Sequence, residues 1–270
     1  MENTEMKRPY IIAEIAQGFE GSLELSKLLI RAAAKVNADF VKFQMVYAND
    51  LAVPKYEHYK LFQSIEFSKQ EWHELMLFSQ EKEIELCVDV FGSRSLEVVR
   101  STGMRSVKIH PTDITNQVLL EELNKIVSVE QIFIGIGGAG LEEIKECINL
   151  IDEQKVIVLI HGYQAYPTPN GENKISRIAY LKNALERIKK DIKYGFADHV
   201  VSDVSKSVAL NAMAYSTGAE YFEKHLSIGA SVEMEDFESS IGPDDFLKFS
   251  DGLHSAAKAF GSTSNDDHFG

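Results

Sequence analysis

Two histidines stand beside acids at the ends of two short apolar runs, Gly195-Phe196-Ala197-Asp198-His199 and Glu220-Tyr221-Phe222-Glu223-Lys224-His225. The residues between them, Ser205 to Ser216, have the apolar spacing of a helix that covers a sheet, so the unit reads strand, helix, strand, and its strands run parallel. Parallel neighbours finish at the same edge, which lets His199 and His225 converge with Asp198 and Glu223 alongside. Neutral imidazoles with a carboxylate are the ligands that a divalent ion of the Mn, Zn or Fe type takes. Each histidine alone reads as a satisfied strand-end residue; two at matching places point to a metal.

The same placement recurs along the chain. Glu14, Lys42, Gln44, Asp89, Lys108, His110 and His161 each lie at or near the end of an otherwise apolar run. Lys42 and Lys108 carry the most weight, because buried lysines are rare unless paired, and two on different strands suit an anion. The segment Gly135-Ile136-Gly137-Gly138-Ala139-Gly140 precedes a helix and can present backbone N–H groups to a phosphate or carboxylate. It is not a G-x-G-x-x-G dinucleotide fingerprint in its usual context, and a plain tight turn is the preferred reading.

These residues need a frame. Strand patterns fall at Tyr10–Ala16, Asp39–Gln44, Glu85–Val90, Arg105–His110, Gln131–Ile136 and Lys155–Ile160, with the two described above as the seventh and eighth. Helical patterns alternate with them: Ser22 caps the first, Ser68 and Glu71 form a capping box on another, and Pro243 opens the last, over Pro243–Phe260. Met45 to Phe67 reads as a long loop, a lid or binding segment. Eight strands alternating with helices is the count of a (β/α)8 TIM barrel, whose working residues sit at the strand C-termini. Residues 1–261 read as one such barrel, and 262–270 as a polar tail.

The chain has 270 residues, 44% of them apolar and 26% charged, enough for a sizeable core. Its formal charge of −13 argues against a nucleic-acid or anionic-membrane surface. Any anionic substrate must then be held by local cations. Cys87 and Cys147 lie in apolar segments and read as free thiols of a reducing cytoplasm, and no run resembles a signal or a membrane span.

Taken in order, Ala13-Glu14-Ile15-Ala16-Gln17, Ala38-Asp39-Phe40-Val41-Lys42-Phe43-Gln44, Val107-Lys108-Ile109, Asp113-Ile114-Thr115-Asn116, Tyr166-Pro167-Thr168-Pro169, Ala197-Asp198-His199, Glu223-Lys224-His225 and Ser240-Ile241-Gly242-Pro243-Asp244 resemble the sialic acid synthase family. That family condenses phosphoenolpyruvate with an N-acetylated amino sugar. The resemblance implies His199 and His225 as metal ligands, with Glu223 beside them, and Mn as the ion, with Mg, Zn or Fe as alternatives. It places Glu14, Lys42, Gln44, Lys108, Tyr166 and Asp236 around the two substrates, and suggests a dimer. The implied chemistry is Lewis-acid polarisation of the sugar aldehyde while the lysines offset anionic charge. With Asp198, the residues Glu14, Lys42 and Lys108 form the expected catalytic set; Gln44, His110, Thr112, His161, Gln164, Tyr166 and Asp236 form the expected substrate set.

The chain departs from the family pattern at Gly18-Phe19, where Asn-His is usual, at Pro111, Gly135 and Ala197, where serines hold the phosphate or carboxylate, and at Gln164, where an asparagine is usual. Each hydroxyl donor lost from a charged group removes about 1.5–3 kcal/mol. Lys42, Lys108, His110, Thr112 and the Gly135–Gly140 amides offer compensation. The alternatives are a metal-dependent aldolase or lyase for an unphosphorylated keto acid, and a non-catalytic relative. The antifreeze-like domain that commonly follows the family's barrel is not expected in these 270 residues.

Overall fold

Eight apolar segments close into one cylinder in the computed structural model, which describes residues 8–188, 190–229, 232–234 and 236–261. The strands are β1 (Tyr10–Ala16), β2 (Phe40–Gln44), β3 (Glu85–Val90), β4 (Ser106–Ile109), β5 (Gln131–Gly135), β6 (Val156–His161), β7 (Ile192–Asp198) and β8 (Tyr221–His225). They pair in sequence order, all parallel, and β8 closes on β1 with Glu14 opposite His225. The architecture is therefore the (β/α)8 barrel that the alternation of patterns implies.

The helices are α1 (Leu23–Lys35), α2 (Ala48–Leu51), α3 (Tyr59–Ser64), α4 (Lys69–Glu81), α5 (Ser93–Thr102), α6 (Gln117–Asn124), α7 (Leu141–Leu150), α8 (Ser176–Leu185), α9 (Val204–Ser216) and α10 (Pro243–Phe260). Their starts follow from local chemistry. Ser22 accepts from the Leu25 N–H, Ser68 and Glu71 cap each other's backbone, and Asp203 accepts from the Lys206 N–H. Among the described residues no helix is long and apolar enough to cross a membrane. The tail at 262–270 lies outside the described residues.

The stretch from Met45 to Phe67 differs from the loop expected of it, because it contains α2 and α3. Both are too short to show a helical period in the sequence. Tyr47 Oη donates to the Phe67 carbonyl at 3.1 Å and Glu66 accepts from the Ala48 N–H at 2.9 Å. Phe67 packs on Phe19 and Trp72, with ring centroids 4.9 and 5.4 Å away. Phe19, one of the departures from the family pattern, is thus a fully buried core residue beneath this segment.

Strand alternation sorts the barrel into two cores. Ile12, Phe40, Cys87, Phe133, Val158, Ile160, Ala197 and Tyr221 fill the interior, while Ile11, Ala13, Val41, Phe43, Val88, Val107, Phe196 and Phe222 pack outward under the helices. Two residues beyond the interior apolar layer, the same strands deliver Glu14, Lys42, Asp89 and Glu223, and Lys108 joins them from β4. The interior of the barrel therefore ends in a layer of charge at its C-terminal mouth.

Candidate active site

Lys42 and Lys108 are buried in that layer and both are paired. Lys42 forms an ion pair with Glu14, and its Nζ lies 3.4 Å from Asp89 Oδ1 and 3.5 Å from Glu223 Oε2. Lys108 Nζ donates to both oxygens of Glu223, at 2.9 and 3.0 Å. Burial alone would raise the Glu223 pKa, but the ammonium groups of Lys108 and Lys42 outweigh it and hold this carboxyl well below the usual range. The same pairing with Glu223 and Asp89 overcomes burial at Lys108 and raises its pKa. At Lys42 burial prevails over the attraction of Asp89 and Glu223, and the pKa is lowered.

Above the charged layer sit the two histidines. Their ring centroids are 5.6 Å apart, and the ring of Tyr166 lies 4.5 Å from His199 and 5.7 Å from His225. Burial lowers the His199 pKa to about 4 and that of His225 well below its ordinary value, so both rings are neutral at pH 7. His199 Nδ1 lies 2.8 Å from the Tyr163 carbonyl, a pure acceptor, so the proton sits on Nδ1 and Nε2 keeps its lone pair. A backbone carbonyl fixing the tautomer in this way is the usual support of a metal-ligating histidine. His225 Nδ1 faces Asp236 Oδ2 at 3.8 Å.

The donor set fits a divalent ion as two neutral imidazoles. It does not fit the three-ligand set that includes Glu223, whose two oxygens are taken by lysines. Among the described residues no three His, Cys, Asp or Glu groups come together closely enough to hold a metal ion.

Glu14, Lys42, Gln44, Lys108, His110, Gln164, Tyr166, His199, Glu223, His225 and Asp236, all expected from the sequence, line one pocket. Gln44 is oriented by Gln17, whose Nε2 donates to it at 2.8 Å. Three expected residues are placed elsewhere. Asp198 follows the interior Ala197 and so faces outward, where it accepts from Asn211 Nδ2 at 3.0 Å and pairs with Lys224 at 3.3 Å. His161 follows the interior Ile160 and also faces outward, with Nε2 on the Asn173 carbonyl at 2.8 Å. Thr112 is exposed and turned toward His110, its Oγ1 2.8 Å from Nδ1.

The pocket also contains residues to which the sequence assigns no role. Asp89 is legible only as a rim acid, and its pairing with Lys42 follows from β2 and β3 being neighbours. Ile160 and Gly162 line the wall, and nothing in their types marks them.

Between β4 and β7 the wall combines Pro111, Gly135 and Gly162, which bring no donor side chain, with His110, Gln164 and Tyr166, which do. A Cβ at Gly135 would stand 2.6 Å from the ring carbons of Pro111, and one at Gly162 would stand 2.8 Å from the Ala197 Cβ. Pro111 thus occupies the room that a side chain at 135 would need. Part of the glycine-rich segment is tied up internally. The N–H groups of Ile136 and Ala139 bond to the carbonyls of Ile160 and Ile136, and that of Gly140 to Glu143.

Comparison with known proteins places the chain in a family. A model of the NeuB family matches residues 29–265. N,N'-diacetyllegionaminic acid synthase of Campylobacter jejuni subsp. jejuni serotype O:2 is 27% identical over 274 residues, covering 95% of this chain and 78% of that protein. Pseudaminic acid synthase of Campylobacter jejuni subsp. jejuni serotype O:23/36 is 26% identical over 275 residues, covering 96% and 76%. Among solved structures, the N-acetylneuraminic acid synthetase of Leptospira borgpetersenii serovar Hardjo-bovis in complex with citrate matches with a TM-score of 0.87 at 25% identity, covering 100% of this chain and 92% of that one.

Proposed function

Because the chain belongs to the NeuB family, we propose that it is a metal-dependent synthase forming a carbon–carbon bond between a three-carbon acid and an (N-acetyl)amino-sugar aldehyde to give a nonulosonic acid. The observation that carries this reading is a single pocket at the barrel mouth where two buried lysine–carboxylate pairs meet two neutral imidazoles. Phosphoenolpyruvate is the donor that family likeness implies.

His199 and His225 would hold the divalent ion, Mn by the same likeness, and the ion when bound supplies Lewis-acid polarisation of a carbonyl. Lys108, the less deeply buried of the two lysines, presents its ammonium to the carboxylate of the acid. Glu14 is fixed by the Ala16 N–H at 2.6 Å and by its ion pair with Lys42. Gln44, Gln164, Tyr166 and His110 supply neutral donors and acceptors of the kind that sugar hydroxyls need, and Asp236 adds a carboxylate. Cys87 and Cys147 are both buried and unbridged, which suits the reducing cytoplasm in which we place the enzyme.

The protein is incubated with Mn2+, a panel of N-acetylated hexosamines and either phosphoenolpyruvate or pyruvate, and the mixture is analysed by mass spectrometry for the condensed acid. A product that vanishes with a chelator and in His199→Ala supports the reading. Absence of product from every donor and sugar pair counts against it.

A further inference from the structure

Thr112 lies outside the pocket, yet it holds a residue that lines it. His110 follows Lys108 by two residues at the end of β4, and strand alternation gives both side chains to the pocket. Pro111 then opens a single turn of tight helix over Pro111–Asp113, with His110 in the N-cap position. Proline has no N–H, so the first backbone donor after His110 is that of Thr112. It donates to His110 Nδ1 at 3.4 Å, and the Thr112 hydroxyl lies 2.8 Å from the same nitrogen. The turn is closed by the Asp113 N–H on the His110 carbonyl at 2.9 Å, and Asn116 Nδ2 anchors the Asp113 carboxylate at 2.9 Å. The ring of Phe91, just past β3, packs against the imidazole with centroids 5.6 Å apart.

This arrangement decides where the imidazole proton sits. A backbone N–H can only donate, so Nδ1 must accept. Burial lowers the His110 pKa, and a ring that is neutral at pH 7 with its lone pair on Nδ1 has its one proton on Nε2. The Thr112 hydroxyl then donates to Nδ1 as well, since its other acceptor, Asp113 Oδ2, is farther away at 3.5 Å. Among the described residues no protein group takes the Nε2 proton. An N–H that donates and cannot accept matches a carboxylate or phosphate oxygen, which only accepts, better than a sugar hydroxyl, which does both.

We propose that Thr112 is a positioning residue that locks His110 as the Nε2–H tautomer, and that this N–H donates to an anionic oxygen of the three-carbon acid. The proposal rests on the synthase reading above and assigns His110, among the neutral groups named there, to the acid rather than to the sugar. It also gives Pro111 a task, because the missing N–H at that position is what directs the Thr112 amide to the imidazole.

NMR of the chelator-treated full chain with isotope-labelled histidine reads the tautomer without substrate, the His110 signals being assigned by their loss in His110→Ala. The expected result is a protonated Nε2 and a bare Nδ1 in the parent, a mixture of tautomers in Thr112→Val, and recovery in Thr112→Ser. Thr112 is exposed, so these variants should fold. With Mn2+ and phosphoenolpyruvate or pyruvate, Thr112→Val should raise the KM for the acid about three- to tenfold and leave that for the sugar unchanged. Thr112→Ser should restore it, and Thr112→Val should add nothing in a His110→Ala background. A protonated Nδ1 in the parent, a tautomer unchanged by Thr112→Val, a rise in the KM for the sugar instead of the acid, or an effect that persists without His110 overturns the proposal and leaves the synthase reading standing. A parent chain that neither binds nor turns over either acid overturns both.

Discussion

Replacing Lys224 by methionine would expose how the two histidine-bearing strand ends are held together. Lys224 and Asp198 pair at 3.3 Å on the outer face of β7 and β8, with both side chains fully buried. Each is one residue from a pocket histidine. Lys224 also donates to the Val200 carbonyl at 3.2 Å, and Asp198 accepts from the Val200 N–H at 3.0 Å and from Asn211 at 3.0 Å. Lys224→Met leaves the Asp198 carboxylate buried with only these two neutral donors, and breaking a buried pair from one side costs about 3–5 kcal/mol. At about 2.1 cal/mol/K of unfolding entropy per residue, a chain of 270 residues loses about 2 °C of Tm per kcal/mol, so the fall should be about 5–9 °C. Removing the charge on both sides, as in Asp198→Asn with Lys224→Met, leaves no ion unpaired and should recover more than half of that loss. Calorimetric melts at pH 7 with a chelator would compare the two, and imidazole NMR signals would report whether His199 and His225 shift. A Lys224→Met protein melting within about 2 °C of the parent, or a double variant that loses the sum of both singles, would refute the reasoning.

Three further outcomes follow from the geometry. His199 is held at about 4 by burial against an ordinary 6.5, so as pH falls the unfolded chain takes up its proton first; stability is full above pH 6.5 and declines by roughly 3 kcal/mol on the way to pH 4. Urea unfolding of the chelator-treated protein across that window should show the decline, and His199→Gln should reduce it. At the opposite end of the barrel, Lys155 donates to the carbonyls of Ile126 and Val129 at 3.0 and 2.6 Å, so Lys155→Met should cost about 2–3 kcal/mol by denaturant titration while turnover is unaffected. Gly135→Ala brings a Cβ against the Pro111 ring and should cost about 1–3 kcal/mol in the same assay, and adding Pro111→Ala should return part of it.

The barrel was legible because its signals are local and repeat: β1, β3 and α10 run over the residues that their apolar patterns and caps delimit. The pocket was legible to the extent that polar residues at the ends of apolar runs mark a barrel mouth. What the pattern could not decide is which side of the wall each residue faces. Strands of a parallel barrel are apolar on both faces, so their sequences do not alternate, and the in or out sense of a terminal residue depends on a parity that only the closed sheet defines. Glu223 and His225 point in and Lys224 between them points out; Ala197 points in and Asp198 points out, and His161 points out after Ile160. A sequence reading that treats every titratable strand-end residue as part of the site therefore gathers both sets. The outward set is not idle, because Asp198 and Lys224 meet across the same two strands that carry His199 and His225. The parity that turns Asp198 out of the pocket thus sets it against Lys224, on the two strands that carry the imidazoles.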